Sequence, residues 1–262
     1  MNRPHPHGGS SARATVNAWF RFYEELNDFL PASRRKCAFA YRCPRGASVK
    51  HAIEALGVPH TEVELVLVNG ESVDFAHRVH DGDRISVYPQ FEAFDVTPLL
   101  SVRERPLREP RFIADAHLGG LAKYLRMLGF DTLYRRDLED TEIVATAARE
   151  GRIVLSRDRD LLMHRALTHG CYVRGRRPRQ QLIEVLARLD LRRSAAPFTR
   201  CLGCNGVLTA VAKERIAQRL PPRTDSFYDR FRTCSDCGKV YWEGSHYRHM
   251  RALVDEVLQG SG

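Results

Sequence analysis

Residues 111–136 read RFIADAHLGGLAKYLRMLGFDTLYRR, and two periodicities meet inside them. RFIAD is a short apolar run of strand length ending in Asp115, and HLGGLAKYLRMLG sets Leu118, Leu121, Leu125 and Leu128 on one helical face. Lys123 and Arg126 fall on the other side of that helix, and TLYRR is a second strand. Onward, DTEIVATAAREG predicts a helix closed by Gly151, and RIVLS a third strand. DRDLLMHRALTHG predicts a helix closed by Gly170, CYVRG a fourth strand, and PRQQLIEVLARLD a helix opened by Pro178. Strands separated by helices in this way imply an α/β fold with a doubly wound parallel sheet.

In such sheets ligands bind beyond the carboxyl ends of the strands. The sequence sets acids there: Asp115 ends the first strand, Asp158 and Asp160 follow the third, and Asp140 and Glu142 begin the second helix. Taken singly, each is a natural helix cap. Together they exceed what capping needs, because Arg157-Asp158-Arg159-Asp160 puts two carboxylates around one turn. Hard oxygen ligands suit Mg2+ or Mn2+, ions able to activate water for an in-line phosphodiester displacement. No nucleophile elbow, Walker loop or dinucleotide fingerprint occurs in the chain. A phosphotransfer domain with an Asp nucleophile would want Lys and Thr/Ser at later strand ends, where this chain has Arg174-Gly175.

Upstream, VNAWFRFY (16–23) and a segment around 37–41 predict strands. Ser48 caps a short helix with Val49, Ala52, Ile53 and Leu56 on one face, stopped by Gly57. ELVLVNG and, after the Asp81-Gly82-Asp83 turn, RISVYP add two more strands. The order β-β-α-β-β predicts a β-grasp domain. VNG followed by DGDRISVYP resembles the ubiquitin-like sulfur carriers, whose chemistry requires a free Gly-Gly tail. Here the last strand runs into QFEAF (90–94), so docking of a protein partner or substrate binding, not carriage, is the expected role.

Downstream, Cys201-x-x-Cys204 and Cys234-x-x-Cys237 offer four thiolates in two knuckles, the pattern of a structural Zn2+ site. The 29 residues between the pairs predict an inserted helix, VAKERIAQRL. Cys37, Cys43 and Cys171 stand alone. Arg223, Phe227, Tyr228, Phe231, Arg232 and Tyr241-Trp242 interleave charge with aromatic rings, a combination that suits unpaired RNA bases. Phe227, Phe231 and Trp242 read first as packing residues.

Residues 1–100 hold 11 of the 41 Lys/Arg and 12 of the 32 Asp/Glu, so the excess behind the net charge of +9 lies in residues 101–262. That asymmetry favours a polyanionic partner. Arg157, Arg174, Arg176, Arg177 and Arg179 cluster at the acid-bearing edge and, with Lys123, Arg126 and His246, are the expected RNA contacts. No apolar run reaches membrane-spanning length, and MNRPHPHGGSSARATV has no apolar core segment, so a cytoplasmic protein without a membrane partner is expected.

FIADAHLGGLAKYLRMLGFDTLYRRD, RIVLSRDRDLL and THGCYVR closely resemble the Mut7-C family, a PIN-like ribonuclease group, over about residues 111–250, and GSHYRHM matches its end motif. The resemblance implies metal-dependent cleavage of RNA, with tRNA or another structured RNA as substrate. Asp115, Asp158 and Asp160 fall on the family's acidic positions. For the second-helix position DLEDTEIV offers Glu139, Asp140 and Glu142, of which Asp140 is preferred and Glu142 the near alternative. The expected organisation is a disordered lead (1–13), a ubiquitin-like β-grasp domain (14–92), a linker (93–110), a PIN-like nuclease domain (111–192), and a zinc ribbon with a C-terminal helix (193–262). The competing expectation is a non-catalytic RNA-binding adaptor, in which ribbon and basic edge bind while the acids only cap helices.

Overall fold

The computed structural model describes residues 14–89, 110–221 and 227–259. The expected lead and linker, apart from Pro110, lie outside the described residues, as does Arg223. The described residues fall into two compact units, one on each side of the linker stretch.

In the first unit β1 (Thr15–Phe22) alternates, burying Ala18, Phe20 and Phe22. It pairs antiparallel with β2 (Phe39–Pro44) and parallel with β5 (Arg84–Tyr88). On the far side of β5 lie β3 (Leu65–Val68) and the short β4 (Glu71–Ser72), giving the order β2-β1-β5-β3-β4. Helix α1 (Val49–Ala55) buries Val49, Ala52 and Ile53, and the Ser48 side chain accepts from the His51 N–H at 3.2 Å. A helix with a parallel central pair flanked by antiparallel strands is the ubiquitin-like β-grasp arrangement. The second strand begins two residues later than the sequence suggested, because pairing fixes Phe39 opposite Phe20. Asn69 and Gly70, at φ 53° and 94°, make the hairpin turn that yields the unforeseen β4.

In the second unit β6 (Arg111–Ala114), β7 (Asp131–Leu133), β8 (Ile153–Ser156) and β9 (Gly170–Tyr172) form a wholly parallel sheet in the order β7-β6-β8-β9. Phe112, Ala114, Ile153 and Leu155 face helices α2 (Gly119–Met127) and α5 (Pro178–Arg188). Ile113 and Val154 face α3 (Asp140–Glu150) and α4 (Arg159–Leu162) on the other side. The fold is therefore doubly wound, and the topological switch falls between β6 and β8. A Cβ on Gly120 would meet the Pro178 ring at 2.5 Å, so glycine lets α2 and α5 approach closely.

The helix predicted from Asp158 to Gly170 is only the four-residue α4. The chain must turn back to start β9 beside Val154, and Gly170 opens that strand instead of closing a helix. Strands β10 (Leu208–Val211), β11 (Phe231–Cys234) and β12 (Val240–Trp242) make a three-stranded antiparallel sheet. VAKERIAQRL is two 3-10 turns, not an α-helix: Val211 is engaged opposite Phe231, and Ile216 is its one buried apolar residue. Helix α6 (Ser245–Gln259) returns Val254 and Val257 to the core under α2 and α5.

Candidate functional site

The carboxyl ends of β6 and β8 open into a cleft of about 720 Å³ lined by Asp115, His117, Asp140, Arg157, Asp158, Arg159 and Tyr172. Its position is the crevice at a topological switch point, where adjacent strands send their helices to opposite faces. Asp115 heads a 3-10 turn (Ala116–Leu118) yet its side chain does not cap it. Instead the buried Ser156 hydroxyl, at the end of β8, donates to Asp115 Oδ2 at 2.8 Å and accepts from the Asp158 N–H at 2.9 Å. One hydroxyl thus couples the two strand ends that carry the acids.

The remaining acids divide. Asp158 caps α4, accepting at Oδ1 from the N–H groups of Asp160 (2.8 Å) and Leu161 (3.5 Å). Asp140, in the first turn of α3, also faces the cleft. Glu142 does not line it: its carboxylate takes the Arg135 guanidinium at 3.1 Å and the Glu139 N–H at 3.4 Å, completing a capping box. Asp160 is exposed and also outside the cleft lining. Among the described residues, no three carboxylates of this set bring oxygens within 4.8 Å of one another. The donor set is nonetheless one that suits Mg2+, which is commonly held by one or two carboxylates while waters and substrate phosphate complete its shell.

Basic groups surround the acids unevenly. Arg157 and Arg159 line the cleft. Arg159 and Arg174 both lie over the Tyr172 ring, at 5.7 and 5.8 Å from its centroid. Glu184 fixes the loop after β9 by accepting from the Arg174 and Gly175 N–H groups at 2.8–3.0 Å. Lys123, Arg176, Arg177 and His246 are exposed, whereas Arg179 is engaged by Glu256. Arg126 is a correction to the sequence reading. It is buried, with Nε donating to Thr132 O at 2.9 Å and Nη1 to Gly203 O at 2.7 Å, so it ties α2 to β7 and the ribbon and cannot face RNA. Ser156, His117, Arg159 and Tyr172 escaped the sequence reading. Only the Ser-x-Asp spacing after a buried strand signalled any of them.

The second centre is the ribbon. Cys201, Cys204, Cys234 and Cys237 each offer a sulfur within 4.8 Å of the others, with Sγ–Sγ separations of 3.7 Å (Cys201–Cys237) and 3.3 Å (Cys204–Cys234). A disulfide needs about 2.05 Å. Tetrahedral Zn2+ with Zn–S near 2.3 Å separates its sulfurs by about 3.8 Å. Burial pushes the Cys201 thiol up, but the Tyr241 hydroxyl and the knuckle amides outweigh it and hold the thiol at about 6. Burial and the neighbouring sulfurs, against the pull of the Gly206 amide, push Cys204 up to about 12. Four thiols so close cannot all ionise without a cation among them, and four thiolates are what structural zinc takes. Cys43 and Cys171 are buried and Cys37 is exposed, all apart from this centre.

The knuckle is bolted to the edge of the parallel sheet. Asn205 accepts from the Thr132 N–H at 2.9 Å and donates to Asp131 Oδ1 at 2.7 Å, and Arg152 also donates to Oδ1 at 2.7 Å. Burial raises the Asp131 carboxyl, but the hydrogen bonds from Arg152 and Asn205 and the charges of Arg152 and Arg200 prevail and hold it below the ordinary carboxylate range. Gly129, at φ +92°, passes so near Ala196 O that a Cβ there would clash with that carbonyl.

Comparison with known proteins matches two families. The model described as the Mut7-C RNAse domain covers residues 110–254, and the one described as Mut7-C ubiquitin covers residues 15–95. No curated protein matches. Among solved structures, the small archaeal modifier protein 1 of H. volcanii is 16% identical, covering 29% of this chain and 99% of its own at a TM-score of 0.24. The Haloferax volcanii HVO 2177 protein is 21% identical, covering 33% of this chain and 100% of its own at 0.26. Among the described residues no helix is long and apolar enough to cross a membrane.

Proposed function

Because this chain belongs to the Mut7-C RNAse domain family, we propose that it is a metal-dependent ribonuclease hydrolysing the phosphodiester bonds of RNA, with tRNA or another structured RNA as its substrate. The observation that carries the reading is that acids from three separate segments, Asp115, Asp140 and Asp158, line one cleft at the switch point of the sheet. In this reading Mg2+ or Mn2+ is held among those three carboxylates, one or two as direct ligands and the rest through its waters, with Asp160 as an outer acid and Glu142 as a positioning group on α3. When bound, such an ion lowers the pKa of its water and neutralises charge on the phosphate.

The chain's own residues supply orientation. Ser156 holds the Asp115 carboxylate in place, and Arg157 and Arg159 fix the phosphate beside it by charge-assisted hydrogen bonds. Arg159 and Arg174, held over the Tyr172 ring, supply guanidinium planes on which a splayed base can stack. Arg176, Arg177 and Lys123 add sequence-independent backbone contacts. The zinc ribbon (193–262) braces the nuclease domain (111–192), and the β-grasp domain (14–92) docks a protein partner. A cytoplasmic setting, where thiols stay reduced, suits the four cysteines.

Labelled structured RNA is incubated with full-length protein in Mn2+ or in chelator, alongside Asp115→Asn. Cleavage that requires the metal and falls at least roughly 10³-fold in the variant, with RNA affinity retained, supports the reading. RNA that is bound but stays intact in Mn2+ supports the adaptor, an alternative that draws on Asp158 serving as a helix cap.

A further inference from the structure

The first unit carries a cluster that the ribonuclease reading does not use. His77, His80 and Asp83 lie on the loop that leads into β5, spaced His-x-x-His-x-x-Asp, and each brings one ligand atom within 4.8 Å of the other two. We propose that they form a binding site for a borderline divalent transition-metal ion of the Zn2+ class.

Three observations support the site. First, His77 Nε2 is buried and has no hydrogen-bond partner among the described residues. A buried polar nitrogen left unmatched is costly, and an ion would satisfy it. Second, the ligands are held before any ion arrives. Asp83 is 7% exposed, its Oδ1 accepts from Asn69 Nδ2 at 2.9 Å, and its Oδ2 accepts from the His80 N–H at 2.8 Å. That leaves Oδ2 a spare lone pair, 3.7 Å from His80 Nδ1. Asn69 thereby acts as the outer partner that orients a ligating carboxylate. Third, the backbone is pinned on both flanks. His77 O accepts from the Val49 N–H at 2.8 Å, the Val79 N–H donates to Ala47 O at 3.0 Å, and the His77 N–H donates to Asp74 Oδ1 at 2.9 Å.

The chemistry selects the ion. Two imidazoles with one carboxylate suit Zn2+, Ni2+ or Co2+ better than the all-oxygen shell of Mg2+ or Ca2+. Three protein ligands leave a fourth position open on zinc, and the His80 side chain, 71% exposed, puts that position at the surface. The bound ion clasps the loop between β4 and β5, and it does not depend on the thiolate centre or on the acidic cleft.

Full-length protein with zinc in its ribbon is titrated with Co2+ and followed by visible d–d absorption, in an Asp115→Asn background so that the cleft contributes least. The wild-type loop should take one Co2+ per chain more than His80→Ala, without sulfur-to-metal charge transfer, and Asp83→Asn should weaken that equivalent at least tenfold. His80→Ala alters an exposed side chain, and matching circular dichroism verifies its fold; His80→Gln serves as a second probe if it does not match. Equal stoichiometry and affinity in the parent and the folded His80 variant would overturn the site.

Discussion

The four cysteines and the acidic residues of the cleft are two different arrangements of groups whose chemistry suits a divalent cation. Every sulfur of the ribbon lies within 4.8 Å of the other three, while no three of the cleft's carboxylates approach so closely. The sulfurs close a shell around one point, and the acids stand around an open space lined also by Arg157, Arg159 and Tyr172. A closed set of ligands holds a fold together; an open one leaves room for water and substrate. The contrast predicts that damage to the ribbon is felt as lost structure and damage to the cleft as lost chemistry.

The largest effect should follow Cys234→Ser. Structural zinc contributes on the order of 10–16 kcal/mol of apparent binding free energy in small domains. One zinc per chain, that of the ribbon, should be lost, whatever the His77-His80-Asp83 loop takes, and RNA cleavage should disappear with the melting of the ribbon. Metal analysis with circular dichroism checks this, and a variant that keeps its ribbon zinc and fold would break the comparison. Next comes Arg126→Ala, at the seam between ribbon and sheet. Losing the guanidinium strands the carbonyls of Thr132 and Gly203, for a loss of about 2–4 kcal/mol in denaturant unfolding. RNA affinity, corrected for the folded fraction, should not change.

A smaller effect resides in Asp131, whose carboxyl is held below its ordinary value in the folded chain. A depressed carboxylate stabilises above its unfolded pKa, near 3.9, and that contribution is lost as pH falls through the folded value. Stability measured from pH 7 downward should therefore decline more steeply in the natural chain than in Asp131→Asn, which starts lower. Parallel pH profiles would remove Asp131 from the seam. Smallest of all is Arg176→Ala, an exposed contact expected to weaken RNA binding a few-fold and to lower the salt slope by about one.

The same contrast governs what the sequence could reveal. The four-cysteine cluster is local, two four-residue knuckles whose spacing suits structural zinc, and the cluster was legible outright. The alternation of strands and helices was legible because apolar residues recur at helical spacing between the strands, Leu121 and Leu125 in α2, Ile143 and Ala147 in α3, Leu182 and Leu186 in α5. Asp115 and Asp158 were legible as acids at strand ends, whereas Ser156, which joins them, looked like an ordinary strand residue. Its role emerges only when β6 and β8 lie side by side. Arg126 misled for the converse reason. A cation on the polar side of a helix looks solvent-facing until a distant segment, here the knuckle at Leu202-Gly203, folds over it. Asp158–Gly170 shows the limit of periodicity, since the need to begin β9 at Gly170 overrode a helix-forming pattern.

The central claim is that the open cleft, not the closed ribbon, is where a catalytic ion sits. Crystals of the full-length chain soaked in Mn2+ and measured for anomalous scattering at the manganese edge test this directly. The account predicts a manganese peak in the cleft with the Asp115 carboxylate among its ligands and the Ser156 hydroxyl still on that carboxylate. A protein that cleaves RNA in Mn2+ while its cleft shows no such peak would contradict it.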